Sequence, residues 1–120
     1  MVSDPDQNGL RLLRIEGDAF VRALLQHVTD SERLLRQLDR AQVRDMDDGG
    51  MGSLEFAGDS FRSLGWCLVK ASYLDSDGMP VSIALNLDTN GQLYELDMWR
   101  VDFAPLRQYP DFERSTVEIV

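Results

Sequence analysis

Between Gly65 and Phe103 the chain alternates apolar and polar residues with a period of two, and short turn sequences interrupt the alternation at "DSDG" and "DTNG". Period-two runs bounded by Asp, Asn and Gly are the mark of strands joined by hairpins. The runs "GWCLVKASYL", "PVSIALNL" and "LYELDMWRVDF" therefore predict an antiparallel meander. An earlier run, "SLEFAG", predicts one shorter strand.

The turns fix the register. With Ser76, Asp77 and Gly78 as the loop and Gly78 left-handed, Asp75 faces Met79, and the pairs Tyr73/Val81, Ala71/Ile83, Val69/Leu85 and Cys67/Leu87 follow. A loop one residue shorter would set Lys70 opposite Leu85 and mix the faces, because a one-residue slip turns the buried set outward. With Asn90 and Gly91 as a type I′ pair, Thr89 faces Gln92, and Leu87/Tyr94, Leu85/Leu96 and Ile83/Met98 continue the same buried face. The other face then carries Trp66, Asn86, Glu95, Asp97 and Trp99, with Trp99 opposite Ser82. Either Trp99 is partly exposed for a partner, or the tail with Tyr109 and Phe112 folds over it.

The same stretch resembles a calcium loop, since "NLDTNGQLYELD" sets oxygen-bearing residues at Asn86, Asp88, Asn90 and Asp97 with Gly91 in the turn. That loop needs an acid first, a bidentate glutamate last and a helix on each side. Asn86 and Asp97 stand at its ends and strands flank it, so a turn is the expected reading, with no metal assigned.

Ahead of the strands the period is near 3.6. "DAFVRALLQHV" puts Phe20, Leu24 and Val28 on one stripe with Val21 and Leu25 beside it, an amphipathic helix. "TDSE" at 29–32 fits a capping box, and a second helix with Leu34, Leu35, Leu38 and Ala41 on its apolar side should follow. Arg33, Arg36, Arg40 and Arg44 fall on another face, expected to be solvated and paired to acids such as Asp30 and Asp39. Helical periodicity ends at "RDMDDGGMGS", where Asp45, Asp47 and Asp48 lie among glycines. These acids are expected to form a solvated loop, with an acidic pocket for a small ligand or a divalent metal as the alternative.

At 120 residues and 43% hydrophobic content, the chain suits one domain that buries roughly two-thirds of the surface its unfolded form exposes. Residues 10–120 are expected to form that domain after a disordered segment, 1–9. The opening is polar and no apolar run reaches the length of a membrane span, which leads to the expectation of a cytoplasmic protein without a membrane partner. Cys67 is alone in its type and expected to fill core space. His27 is likewise the single histidine, and no nucleophile or third partner accompanies it to make a catalytic set. No cofactor motif is present.

Residues 1–44 hold seven acids and seven arginines, so the entire net charge of −9 falls on residues 45–120. Such a field repels nucleic acid and attracts a basic protein. A homodimer through the uncovered face is a further expectation.

"DGGMGSLEF", "DSDGMPVSIALNLD" and "GQLYELDMWRVDFAPL" together resemble a family of small uncharacterised bacterial domains over residues 10 to 110. In size and in the "ELDMWRVDFAPL" ending, these domains are similar to the single-domain immunity proteins of polymorphic toxin systems. The resemblance implies an inhibitor that acts by binding, and it carries over no catalytic residue.

The expected fold is α+β, an N-terminal helical hairpin packed on one face of an antiparallel sheet of four or five strands, with 115–120 as a further edge strand. The expected function is non-enzymatic binding through Trp66, Asn86, Glu95, Asp97, Trp99 and the acidic loop.

Overall fold

The structure, a computed structural model, describes residues 9–59 and 61–119. The segment 1–9, expected to be disordered, lies outside the described residues apart from Gly9. The elements in order are β1 (Leu10–Leu12), α1 (Ile15–Leu25), α2 (Glu32–Asp39), β2 (Gln42–Asp45), β3 (Leu54–Phe56), β4 (Leu64–Leu74), β5 (Pro80–Asp88), β6 (Leu93–Arg100), a 3₁₀ turn (Phe112–Arg114) and β7 (Thr116–Ile119). The class is α+β, and the sheet is larger than four or five strands. Among the described residues it has seven, all antiparallel, in the order β1-β2-β3-β6-β5-β4-β7.

The central meander follows the turn chemistry. Gly78 has φ +83°, the Asp75 amide donates to the Met79 carbonyl, and Tyr73↔Val81, Ala71↔Ile83 and Val69↔Leu85 pair as the loop requires. The second turn departs from type I′. The Asp88 amide donates to the Gln92 carbonyl across a loop of Thr89, Asn90 and left-handed Gly91, so it repeats the geometry of the first. Ile83↔Met98 and Leu85↔Leu96 are kept, whereas Leu87 pairs with Leu93 instead of Tyr94, because a bulge at Tyr94 takes up one residue.

β4 carries irregularities of its own between Leu64 and Trp66 and between Cys67 and Val69. They reverse its alternation. Trp66, not Cys67, pairs with the buried Leu87, and Cys67 pairs with Asn86. Cys67 is therefore half-buried on the opposite face rather than in the core, its thiol bonded to the Val69 carbonyl and pushed up in pKa by partial burial. Gly65 makes the first irregularity possible: a Cβ there would lie 2.3 Å from the Asp88 carbonyl oxygen.

Both helices cover one face. α1 buries Phe20, Val21, Leu24 and Leu25, and α2 buries Leu34 and Leu38, against Val43, Phe56, Leu85, Leu96 and their neighbours in the sheet. Each such fully buried side chain is worth about 1.5–3 kcal/mol. α2 begins after Ser31 with no side-chain cap, so the expected Thr29–Glu32 capping box is not made. It also ends early: the Arg40 and Ala41 amides close its last turn on Gln37 and Leu38, and Gln42 already belongs to β2. Asp39 pairs with Arg22 of α1 at 2.9 Å instead of with one of the expected arginines, and Arg44, which lies in β2, pairs with Glu55.

The C-terminal segment returns over the helices. Tyr109 and Phe112 both meet the Phe20 ring edge-on, with centroids 6.4 and 6.2 Å away, and β7 then pairs with β4. The expected edge strand is thus present, its last residue, Val120, lying outside the described residues. Among the described residues no helix is long and apolar enough to cross a membrane.

Candidate functional site

With the helices on one side, the pairing Asn86↔Glu95, Ala84↔Asp97 and Ser82↔Trp99 sets these residues on the other, open face of the sheet, joined by Lys70 and Ser72 of β4. Two regions can be told apart along it.

The first is polar. The Asn86 amide donates to Asp97 Oδ2 at 2.8 Å, and Glu95 lies across from Asn86 on the neighbouring strand. Burial raises the Glu95 carboxyl above its ordinary range, and the Asp97 charge adds to the effect; burial likewise raises Asp97 against the opposing Asn86 bond. Arg62 acts on Glu95 only from a distance, and carboxylates that are already partly dehydrated are stabilised when a cation approaches.

The second region is apolar. Trp99 is 46% exposed and Phe103 67% exposed, their rings 5.9 Å apart and tilted by 52°. Exposed Leu74 and Val101 flank them, with Leu74 paired to Pro80 and the Val101 amide bonded to the Pro80 carbonyl. Tyr109 and Phe112, the residues that would have covered Trp99, pack against Phe20 on the helix side. Phe103 has φ +62°, a left-handed conformation that costs a bulky residue about 1–2 kcal/mol.

That conformation is held from below by Arg100. Its buried guanidinium donates to Asp75 Oδ2 at 2.8 Å, to Asp77 Oδ2 at 2.6 Å and to Asp102 Oδ1 at 2.7 Å. Asp75 also accepts the Arg107 and Gln108 amides, and Asp102 accepts the Ala104 amide. The guanidinium holds Asp77 and Asp102 below the usual carboxylate range, Asp102 at about 2. Asp75 is also lowered, because the amides and Arg100 outweigh its burial. The strand end, the turn and the segment after it are thereby one rigid unit bearing the two rings.

Trp66 does not belong to this face. Its pairing with Leu87 puts it on the helix side, 50% exposed at the rim, beside Gly91 and Arg33. The acids of the 45–48 loop do not converge either. Asp45 lies in β2 and takes both Nε and Nη2 of Arg11, at 3.0 and 2.7 Å. Asp48 turns inward to accept the Met51 and Ser53 amides, and Asp47 is exposed. In the segment resembling a calcium loop, Asp88 accepts the Asn90 and Gln92 amides of its own turn and lies 3.7 Å from Arg62, while Asn86 and Asp97 bond to each other. Among the described residues no group of three or more His, Cys, Asp or Glu side chains is placed to hold a metal ion. His27 is exposed, its ring 5.2 Å from that of Phe112.

Phe103, Leu74 and the Arg100 clamp escaped the sequence reading. "RVDF" alternates like the strand before it, and nothing in the alternation marks Asp102 as an acceptor for Arg100 or Phe103 as left-handed.

Residues 10–110 match the family described as a domain of unknown function, DUF6984. The chain belongs to that family. The matched span of the DUF6984 domain takes in both helices, β1 to β6 and the whole Trp99–Phe103 patch, and stops before β7. No curated protein and no solved structure matches the chain.

Proposed function

We propose that the chain is a non-enzymatic binding protein whose open sheet face receives a basic protein. Trp99 and Phe103 would anchor the contact, and Glu95 and Asp97, steadied by Asn86, would meet cationic side chains at its polar end. The observation that carries this reading is the exposed Trp99–Phe103 pair, fixed in a strained backbone by a buried ion cluster. Exposed aromatic rings that are already ordered lose little entropy on binding and are common anchors of interfaces. An inhibitor that masks the cationic surface of a toxin, the role the resemblance to immunity proteins implies, is the specific form of this reading.

The test is affinity capture from the source cell with the immobilised protein, scored against two variants. A basic partner should be retained by the wild type, be weakened by added salt, and be lost with Trp99→Ala and with the Glu95→Gln, Asp97→Asn pair. Capture of no partner, or equal capture by the wild type and Trp99→Ala, would reject the reading. Capture of the chain's own copies through Trp99 would replace the basic partner with a homodimer.

A further inference from the structure

Apart from Arg14, every arginine outside α2 and its C-terminal end meets a carboxylate within 4.0 Å, from Arg11 with Asp45 to Arg114 with Asp111. Arg33, Arg36 and Arg40 do not. All three are exposed, and among the described residues no hydrogen bond or ion pair engages their side chains, although the chain carries a net charge of −9. Spacings of three and four residues set them on one stripe of the helix, roughly 10 Å long at about 1.5 Å per residue. Leu34 and Leu38 hold the opposite side of α2 in the core, and Gln37 accepts the Leu93 amide, so a fixed element presents the stripe. Helix stability does not account for it. Arg33 lies in the first turn, where the positive end of the helix dipole disfavours a cation.

The stripe runs toward an exposed tryptophan. A Cβ at Gly91 would lie 3.4 Å from Arg33 Nη2 and 3.7 Å from Trp66 Cη2, so the guanidinium and the half-exposed indole border the same turn. Glu32 and Asp39 lie beside the arginines on the same helix, Asp39 already held by Arg22, and Asp30 is exposed just before it. The basic strip is therefore one helix wide.

We propose that this strip, from Arg40 through Arg36 and Arg33 to Trp66, docks an acidic peptide segment of another protein, its carboxylates taken by the three guanidiniums and an apolar side chain seated on the indole. Guanidiniums match planar carboxylates, which they can meet with two parallel hydrogen bonds. In an extended segment alternate residues project to one side about 6–7 Å apart, a spacing that three flexible arginines along about 10 Å of helix can follow. The acids beside so narrow a strip repel the continuous phosphate backbone of a nucleic acid, and a short peptide avoids them. Trp66, set on the open face by alternation in the sequence, belongs instead to this second surface on the helix side.

The probe is a capped synthetic peptide of three glutamates alternating with alanine and followed by phenylalanine, titrated into the isotope-labelled chain while amide and indole resonances are followed. Saturable shifts are expected along α2, at Gly91 and at the Trp66 indole, with the resonances of Glu95, Asp97 and Trp99 unmoved. Replacing the peptide's glutamates by glutamine should weaken binding about tenfold or more, and added salt should weaken it as well. Trp66→Ala should weaken it about threefold or more. The combined variant Arg33→Glu, Arg36→Glu, Arg40→Glu should lose the acidic peptide and bind a version with lysine in place of glutamate, a reversal that loss of structure cannot produce. The comparison of the two peptides on the wild type stands even where a variant fails to fold. Absence of a saturable shift, equal binding of the glutamate and glutamine peptides, or tighter binding of an oligothymidylate of equal charge would each overturn the proposal. So would concentration-dependent shifts along α2 in the chain alone, which would put a second copy in the strip. Because the strip and the open face lie on opposite sides of the sheet, failure of one leaves the other standing.

Discussion

Arg100 sets the geometry of the aromatic patch although its own guanidinium is buried. Among its acids, Asp75 has a fully buried side chain and also accepts two amides from the 107–108 segment. Removing it as Asp75→Ala should cost about 3–5 kcal/mol, as breaking a buried pair does, measured by denaturant unfolding. The pH dependence has a definite sign. The folded-state values of Asp75, Asp77 and Asp102 are lowered, so their stabilisation is complete above the ordinary carboxylate range near pH 4 and is lost as pH falls through the lowered values, to about 2 for Asp102. The melting temperature should therefore decline from about pH 4 downward. Glu95 and Asp97 act in the opposite sense: their raised values mean a penalty at neutral pH that is relieved on acidification. Asp97→Asn should accordingly melt higher than the wild type near pH 7, and the difference should close as the pH is lowered. An unchanged gap across that range would show that Asp97 is not dehydrated by the fold.

Among the elements, β4 shows where sequence periodicity succeeds and where it stops. From Val69 to Tyr73 the alternation and the D-S-D-G turn determine the pairing, and the expected partners are found. Toward its start the irregularities beside Gly65 and between Cys67 and Val69 move Trp66 to the helix side and Cys67 to the open face. The glycine was a readable signal, since a glycine inside a strand often marks a bulge or a close backbone approach. Gly65→Ala would drive a Cβ into the Asp88 carbonyl and should cost roughly 1–3 kcal/mol, seen as a lower unfolding midpoint. A neutral substitution would mean that β4 enters the sheet differently. β1 and β2 were not legible for another reason. With three and four residues they are too short for a period to show, and their antiparallel pairing, which the Arg11–Asp45 pair supports, is one that only the fold brings together.

Across the whole molecule, the charge asymmetry read from the sequence is spent unevenly. Asp75, Asp77 and Asp102 neutralise Arg100, Asp45 takes Arg11 and Glu55 takes Arg44, so much of the acidic excess serves internal pairing rather than an external field. What is left on the open face is Glu95, Asp97 and the exposed Glu118 opposite Lys70, beside two exposed aromatic rings. The candidate face was therefore partly legible: alternation placed Asn86, Glu95, Asp97 and Trp99 together, whereas the apolar half of the patch depends on a turn whose conformation is enforced by contacts distant in sequence. One denaturant melt, of Trp99→Ala against the wild type, tests the central claim that this ring is held ready at the surface and is not part of the core. A loss of stability within about 1 kcal/mol is the expected result, as for surface changes in general. A loss of about 3–5 kcal/mol, the cost of emptying a core aromatic site, would contradict it.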